Sequence, residues 1–181
     1  MEKEFEKLLE FWKNNEGTGK LFNFKFLEYK KGYLKLEAEF GPSTLNPNKN
    51  VQGGQMTSML DDATSILVVL DTGGKSYPNS TNLHSLHHRP LFQEKVTVVA
   101  ETIKIGNSIA TLKGEIYNSE NKLATTLMHS LGCQRIDDIR APQTTLEKKI
   151  HSNITFADRE IFGAMVSQSV VTKCIKIAVE P

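Results

Sequence analysis

The apolar positions along the chain change period several times, and each change marks an element. Phe5, Leu8, Leu9 and Trp12 fall three and four residues apart, with Lys and Glu between them. That spacing predicts a short amphipathic helix over residues 4–13, ended by Asn14-Asn15-Glu16-Gly17. Phe22 to Tyr29 is rich in aromatics, and Gly32 to Phe40 alternates strictly. Leu34, Leu36, Ala38 and Phe40 share one side, and Lys35, Glu37 and Glu39 the other. Two strands joined at Lys30-Lys31-Gly32 make a hairpin. Residues 41–50 hold two prolines and no periodicity, and read as a loop.

From Gly53 the period becomes helical. Met56, Met59, Leu60, Ala63, Ile66, Leu67 and Leu70 recur at three and four, and Val68 and Val69 add apolar surface opposite. A helix that is apolar nearly all round is buried. Thr72-Gly73-Gly74 stops it, which sets its bounds at 53–71. Strands are expected over Ser80–His88, Lys95–Ile105, Ser108–Tyr117 and Leu123–Leu131, the last stopping at Gly132. The short turns between them predict that consecutive strands are antiparallel neighbours. Further on, Thr155 to Asp158 could cap a helix over Arg159–Met165, and Val170–Val179 could be a strand. The plan is an α+β fold over residues 1–134, an antiparallel curved sheet around one long central helix. Residues 135–181 form a C-terminal extension whose composition does not assign it a role.

Composition narrows the function. A chain of 181 residues supports one well-cored domain. Twenty-two basic residues against 21 acidic ones give a net charge of +1, which argues against nucleic-acid binding. Cys133 and Cys174 suggest neither a disulfide framework nor a zinc cluster. The charged start lacks the apolar stretch of a signal peptide, and Ile66–Leu70 is too short to span a bilayer. The expectation is a cytoplasmic protein with no membrane partner.

The chemistry concentrates in Asn46 to Asp62, where a polar loop enters the central helix through Gly53-Gly54. The free amides of a helix N-terminus carry partial positive charge, and glycine lets a ligand oxygen approach them. Such a site can polarise a carbonyl. Two turns on stands Asp61, a carboxylate in an apolar helix. Buried, it has a raised pKa and is a candidate base or nucleophile; on a wet edge, Asp61 and Asp62 are merely solvated.

This stretch resembles the hotdog-fold thioesterases, above all their PaaI-like branch. Their helix start reads Asn-x-x-Gly-x-x-His-Gly-Gly, with an Asp nine residues after the His. Here Asn46 stands six before Gln52, Gly53-Gly54 follow, and Asp61 stands nine after Gln52. Leu86-His87-His88-Arg89-Pro90 resembles the family's Phe-x-Arg-Pro strand end. Ile103 to Ser108 and Tyr117 to Ala124 resemble its last hairpins, so the resemblance spans residues 20–132. It implies a hotdog-fold acyl-CoA thioesterase, a homodimer or homotetramer with its active site at a subunit interface and no cofactor or metal. Gly53 would then donate its amide to the thioester carbonyl, and Asp61 would be the base or nucleophile. Asn46 would orient water or the carbonyl, and Ser80 would position the attacking water. Gln52, Gly54, Ser65 and Arg89 would line the substrate, with Lys104 a further candidate for the CoA phosphates.

Gln52 replaces the family's His, and a Gln amide cannot titrate near neutrality. Lys49 stands where the family has Gly, so the loop could follow another path. Gln52 and the unassigned extension motivate the alternative of a non-catalytic acyl-CoA binding protein. A hydratase is disfavoured, because those enzymes use an Asp–His pair and the expected His is missing from the helix start. Gly74-Lys75-Ser76 lacks the upstream Gly of a phosphate loop. His84 and His88 share a strand face with no Asp, Glu or Cys to complete a metal site. Without a Gly-x-Ser-x-Gly elbow, a serine triad has no support.

Overall fold

The structure is a computed structural model that describes residues 20–135. The helix expected over 4–13 and the elements expected after residue 135 lie outside the described residues. Strands β1 (Lys25–Lys30) and β2 (Tyr33–Glu39) form the first hairpin. A short 3-10 turn (Pro42–Thr44) and a loop lead to helix α1 (Gly53–Asp71). Strands β3 (Ser76–His87), β4 (Lys95–Ile105), β5 (Ile109–Tyr117) and β6 (Leu123–Arg135) follow. The helix spans the residues its periodicity predicts. β6 runs three residues past Gly132, which pairs with Asn79 instead of stopping the strand.

All six strands form one antiparallel sheet in the order β1-β2-β4-β5-β6-β3. Consecutive strands are neighbours in the hairpin β1-β2 and along β4-β5-β6, as expected, and the expectation is corrected only where β3 was to lie beside β4. β3 pairs with β6 at one edge, and β4 crosses to pair with β2. The reason lies in the linker over 88–94. Its Leu91 is fully buried, and the Leu91 carbonyl accepts the Val51 amide at 2.8 Å. The linker is thus pinned beside the start of α1, and β4 sets out from there.

The sheet wraps α1 as the alternation requires. Leu34, Leu36 and Ala38 of β2, Val96, Val98 and Ala100 of β4, and Ala110, Leu112 and Ile116 of β5 form buried inward rows. Thr125, Leu127, His129, Leu131 and Cys133 continue them on β6. Met59, Leu60, Ala63, Ile66 and Leu67 of α1 meet these rows with no side chain left exposed. Gly114 lets the helix come close, since a Cβ there would lie 3.1 Å from the Leu60 Cδ2 and 3.4 Å from the Thr64 Cγ2. Together these features are the hotdog fold.

The far end of α1 is tied to the first hairpin by Asp71. Its Oδ1 accepts the Gly32 amide at 2.9 Å and the Tyr29 hydroxyl at 3.2 Å, and its Oδ2 accepts from Thr102 Oγ1 at 2.8 Å. Gly32 turns the hairpin at φ +81°. A carboxylate at a helix C-terminus is repelled by the dipole, and these donors offset that. Burial first, then the Asp71 charge, hold the Tyr29 hydroxyl well above its usual titration range. Removing Asp71 leaves three donors without their acceptor, at roughly 1–3 kcal/mol for each one left unsatisfied. The Asp71→Ala variant is expected to lose about 2–3 kcal/mol of unfolding free energy in a urea titration. A loss below about 0.5 kcal/mol would show that the node does not hold the hairpin to the helix.

Candidate active site

Three polar rungs join α1 to the edge strand β3, which runs back along it. At the first, His87 lies over the helix start, and a Cβ on Gly53 would sit 3.1 Å from its Nε2. At the second, Thr57 Oγ1 and Ser85 Oγ are hydrogen-bonded at 2.9 Å. At the third, Ser80 Oγ donates to Asp61 Oδ1 at 2.6 Å. Gly53, Thr57 and Asp61 follow at four-residue steps, which keeps them near one face of the helix.

A β-bulge decides the third rung. Leu83 pairs with His129 and Ser80 with Leu131, so both lie on the helix side of the sheet although they stand an odd number of positions, three, apart. Strict alternation would turn one of them outward. The register shift between Ser80 and Asn82 absorbs Thr81, whose hydroxyl bonds the Ser130 carbonyl at 2.9 Å. The bulge thereby re-aims Ser80 at Asp61.

Asp61 is neither deeply buried nor merely wet, since 32% of its side chain is exposed. Behind it stands His129 of β6, wholly buried, with Nε2 3.5 Å from the same Oδ1. His129 Nδ1 is 2.7 Å from Thr64 Oγ1, while Nε2 has no hydrogen-bond partner among the described residues. Burial lowers the His129 pKa, and the Asp61 charge opposes that shift. Sequence reading missed this residue. The available signal was its place in the alternating row Thr125, Leu127, His129, Leu131, which is the buried face of the strand. The motif position at the helix start is still Gln52, and the histidines near the helix come from the strands instead. His129 stands beside the carboxylate, and His87 stands at the helix start. The His87 pKa is lowered by burial and then by neighbouring His88.

At the helix start, Gln52 is the N-cap, and its Oε1 accepts the Gln55 amide at 3.1 Å. The side chain folds across Gly54, where a Cβ would come within 2.8 Å of that oxygen. The amides of Gly53 and Gly54 meet no acceptor among the described residues. Asn46 organises the preceding loop, with Oδ1 accepting the amides of Asn48 at 2.9 Å and Asn50 at 3.2 Å. Its Nδ2 is the donor left for a ligand. Lys49 adopts φ +61°, the left-handed conformation that favours glycine, so the loop keeps a glycine-like turn without the glycine.

The remaining candidates are not gathered at Asp61. Ser65 is buried one turn further on and makes no hydrogen bond to Asp61. Arg89 is exposed at the end of β3 and donates to the Leu123 carbonyl. Lys104 lies on β4 at a register shift. His84 pairs with Met128 on the outer face, and His88 Nε2 meets Thr126 Oγ1 there at 3.0 Å. No described helix is long and apolar enough to cross a membrane.

The fold and this constellation define a hotdog protein with a carboxylate-centred site. Residues 48–125, which include Gly53, Asp61 and Ser80, match the thioesterase superfamily. The likeness to hotdog thioesterases read from the sequence is thereby confirmed. A provisionally named esterase of Archaeoglobus fulgidus is 27% identical over 119 residues, covering 65% of this chain and 75% of its own. The fold is shared with a thioesterase of Haemophilus influenzae at 19% identity and a TM-score of 0.66, covering 72% of this chain and 90% of that one. It is shared too with a hypothetical thioesterase of Streptococcus pneumoniae crystallised with coenzyme A. That protein is 16% identical with a TM-score of 0.57, and the match covers 62% of this chain and 90% of the other.

Proposed function

We propose that this protein hydrolyses acyl-CoA thioesters to a carboxylic acid and CoA, in a site completed by a second copy of the chain. The hydrogen bond from Ser80 to Asp61 carries the reading. It occupies Oδ1 and leaves Oδ2 to take a proton from water, or to attack the thioester carbonyl itself. Ser80 sits where it can hold the water against the carboxylate. The free Gly53 amide supplies the positive end of a helix for the carbonyl oxygen as negative charge develops on it. The coenzyme A in the streptococcal structure supports the choice of substrate class.

Distance supports the second copy. Gly53 and Asp61 are eight residues apart on one helix, about 12 Å at 1.5 Å per residue. One thioester carbonyl cannot touch both in the same chain. β3 supports the same reading. Among the described residues it is a 12-residue edge strand paired with β6 alone, with Leu83 39% and Leu86 52% exposed. Such an edge is a template for a partner strand. A second β3 alongside it would bring the Gly53 of one copy toward the Asp61 of the other.

The Asp61–His129 pair does not favour hydration chemistry. His129 is wholly buried, so it reaches a substrate only through Asp61. The deciding experiment incubates the full chain with acyl-CoAs of graded length and aryl character, and follows free thiol release. Turnover above about 0.1 per second on at least one member is the expected result. Micromolar binding of the same panel without thiol release would replace hydrolysis by acyl-CoA sensing.

A further inference from the structure

We infer that Asp61 and His129 work as one proton-sharing unit in which His129 Nε2 holds the proton that Asp61 takes from water. The inference rests on the hydrolytic reading and assigns His129 as a positioning residue that acts through Asp61.

The hydrogen positions at Thr64 fix the tautomer. Thr64 Oγ1 lies 2.7 Å from the Leu60 carbonyl oxygen and 2.7 Å from His129 Nδ1. The hydroxyl has one proton, and the carbonyl can only accept. If that proton went to Nδ1, two oxygens would face each other at 2.7 Å with nothing between them. Both contacts are satisfied only when Thr64 donates to Leu60 and His129 Nδ1–H donates to Thr64. Neutral His129 then carries a bare lone pair on Nε2, in line with its lack of a partner. That lone pair faces Asp61 Oδ1 at 3.5 Å. A second lone pair beside a carboxylate is unfavourable unless a proton comes to lie between them.

Among the described residues, Asp61 is the ionisable partner recorded for His129. Asp61 is the charged group that α1 presents to His129. β3 sets Leu83 opposite the histidine, and β5 sets Leu112 opposite it. Burial favours the neutral imidazole, and the Asp61 charge opposes that preference.

The cycle balances. Water gives a proton to Asp61, directly or through Ser80, as its oxygen forms the new bond to the thioester carbon. Asp61 passes that proton to His129 Nε2 and is ionised again. When the C–S bond breaks, the sulfur leaves with the bonding pair. The proton then returns through Asp61 to the thiolate, and the products are acid and thiol.

His129→Gln fits the same volume without a titrating nitrogen. A proton bound to either member of a coupled pair removes the base, so the acidic limb belongs to the pair and not to one residue. In the variant, the acidic limb of the kcat/KM profile should move at least about one pH unit lower, with kcat down about tenfold. A limb that stays in place while kcat falls makes His129 structural and overturns the inference. Nitrogen NMR of the full chain reads the pair without any turnover. The inference expects an Nδ1–H tautomer whose Nε2 titrates at lower pH in Asp61→Asn than in wild type. An Nε2–H tautomer, or a titration indifferent to Asp61→Asn, overturns it. If the NMR coupling is present and no acyl-CoA is cleaved, the hydrolytic reading fails and the proton-sharing pair stands.

Discussion

Replacing Asp61 with Asn should lower kcat on the best acyl-CoA substrate by about a thousandfold, within the range general base catalysis supplies. The substitution is nearly isosteric. An Asn Oδ1 still accepts the Ser80 hydroxyl, so the third rung between α1 and β3 survives. What disappears is the ability to take a proton from water or to attack the carbonyl. Removing a negative charge from beside a buried neutral histidine costs the fold little, and Tm should stay within about 3 °C of wild type. KM should change less than kcat, because the carboxylate is asked to act on the reacting atoms and not to bind CoA. Steady-state assays of thiol release at several pH values decide the matter. Activity within tenfold of wild type would leave Asp61 as a polar rung between helix and strand and nothing more.

The sequence made some parts of this site legible and hid others for definite reasons. The bounds of α1 follow from apolar residues at three- and four-residue steps, which no strand could bury. Alternation shows which side of each strand faces the helix, but not which strand lies beside it. Hence the neighbours of β3 were misjudged: its pairing with β6 depends on Leu91 anchoring the linker near Val51. Ser80 is the sharper case. Counting by twos back from Leu83 would turn it outward, and only a one-residue bulge turns it in. Its candidacy came from family likeness and could not have come from periodicity. His129 was hidden because a histidine amid Leu127 and Leu131 looks like core until Thr64 and Asp61 are seen beside it. Gln52 illustrates the opposite limit. It was legible as a substrate-lining residue in place of the family's His, but not as the residue whose oxygen caps the helix that starts at Gly53.

Two inactive variants should restore activity when combined, if the site is built from two chains. Gly53→Pro removes the amide that would hold the carbonyl and adds nothing a helix start resists. Proline suits the first helical position, and the residue before it, Gln52, already has the extended conformation that proline demands (φ −68°, ψ 133°). The one local cost is a shift of a few tenths of an ångström by the His87 ring, which lies 3.1 Å from the new Cβ position. Expressed alone, Gly53→Pro loses the carbonyl donor in every site, and Asp61→Asn loses the base in every site. Co-expressed in equal amounts, they give about half heterodimers by random pairing of two-fold partners. Each heterodimer holds one site with both residues intact and one with both lost, so the mixture should recover about a quarter of wild-type activity. A site contained within one chain permits no such recovery, because each chain lacks one of the two groups. Tagging the variants differently and purifying the heterodimer should raise the recovery to about half. A purified heterodimer as inactive as its parents would mean that Gly53 and Asp61 do not meet across the interface, and that the carbonyl is held by some other donor.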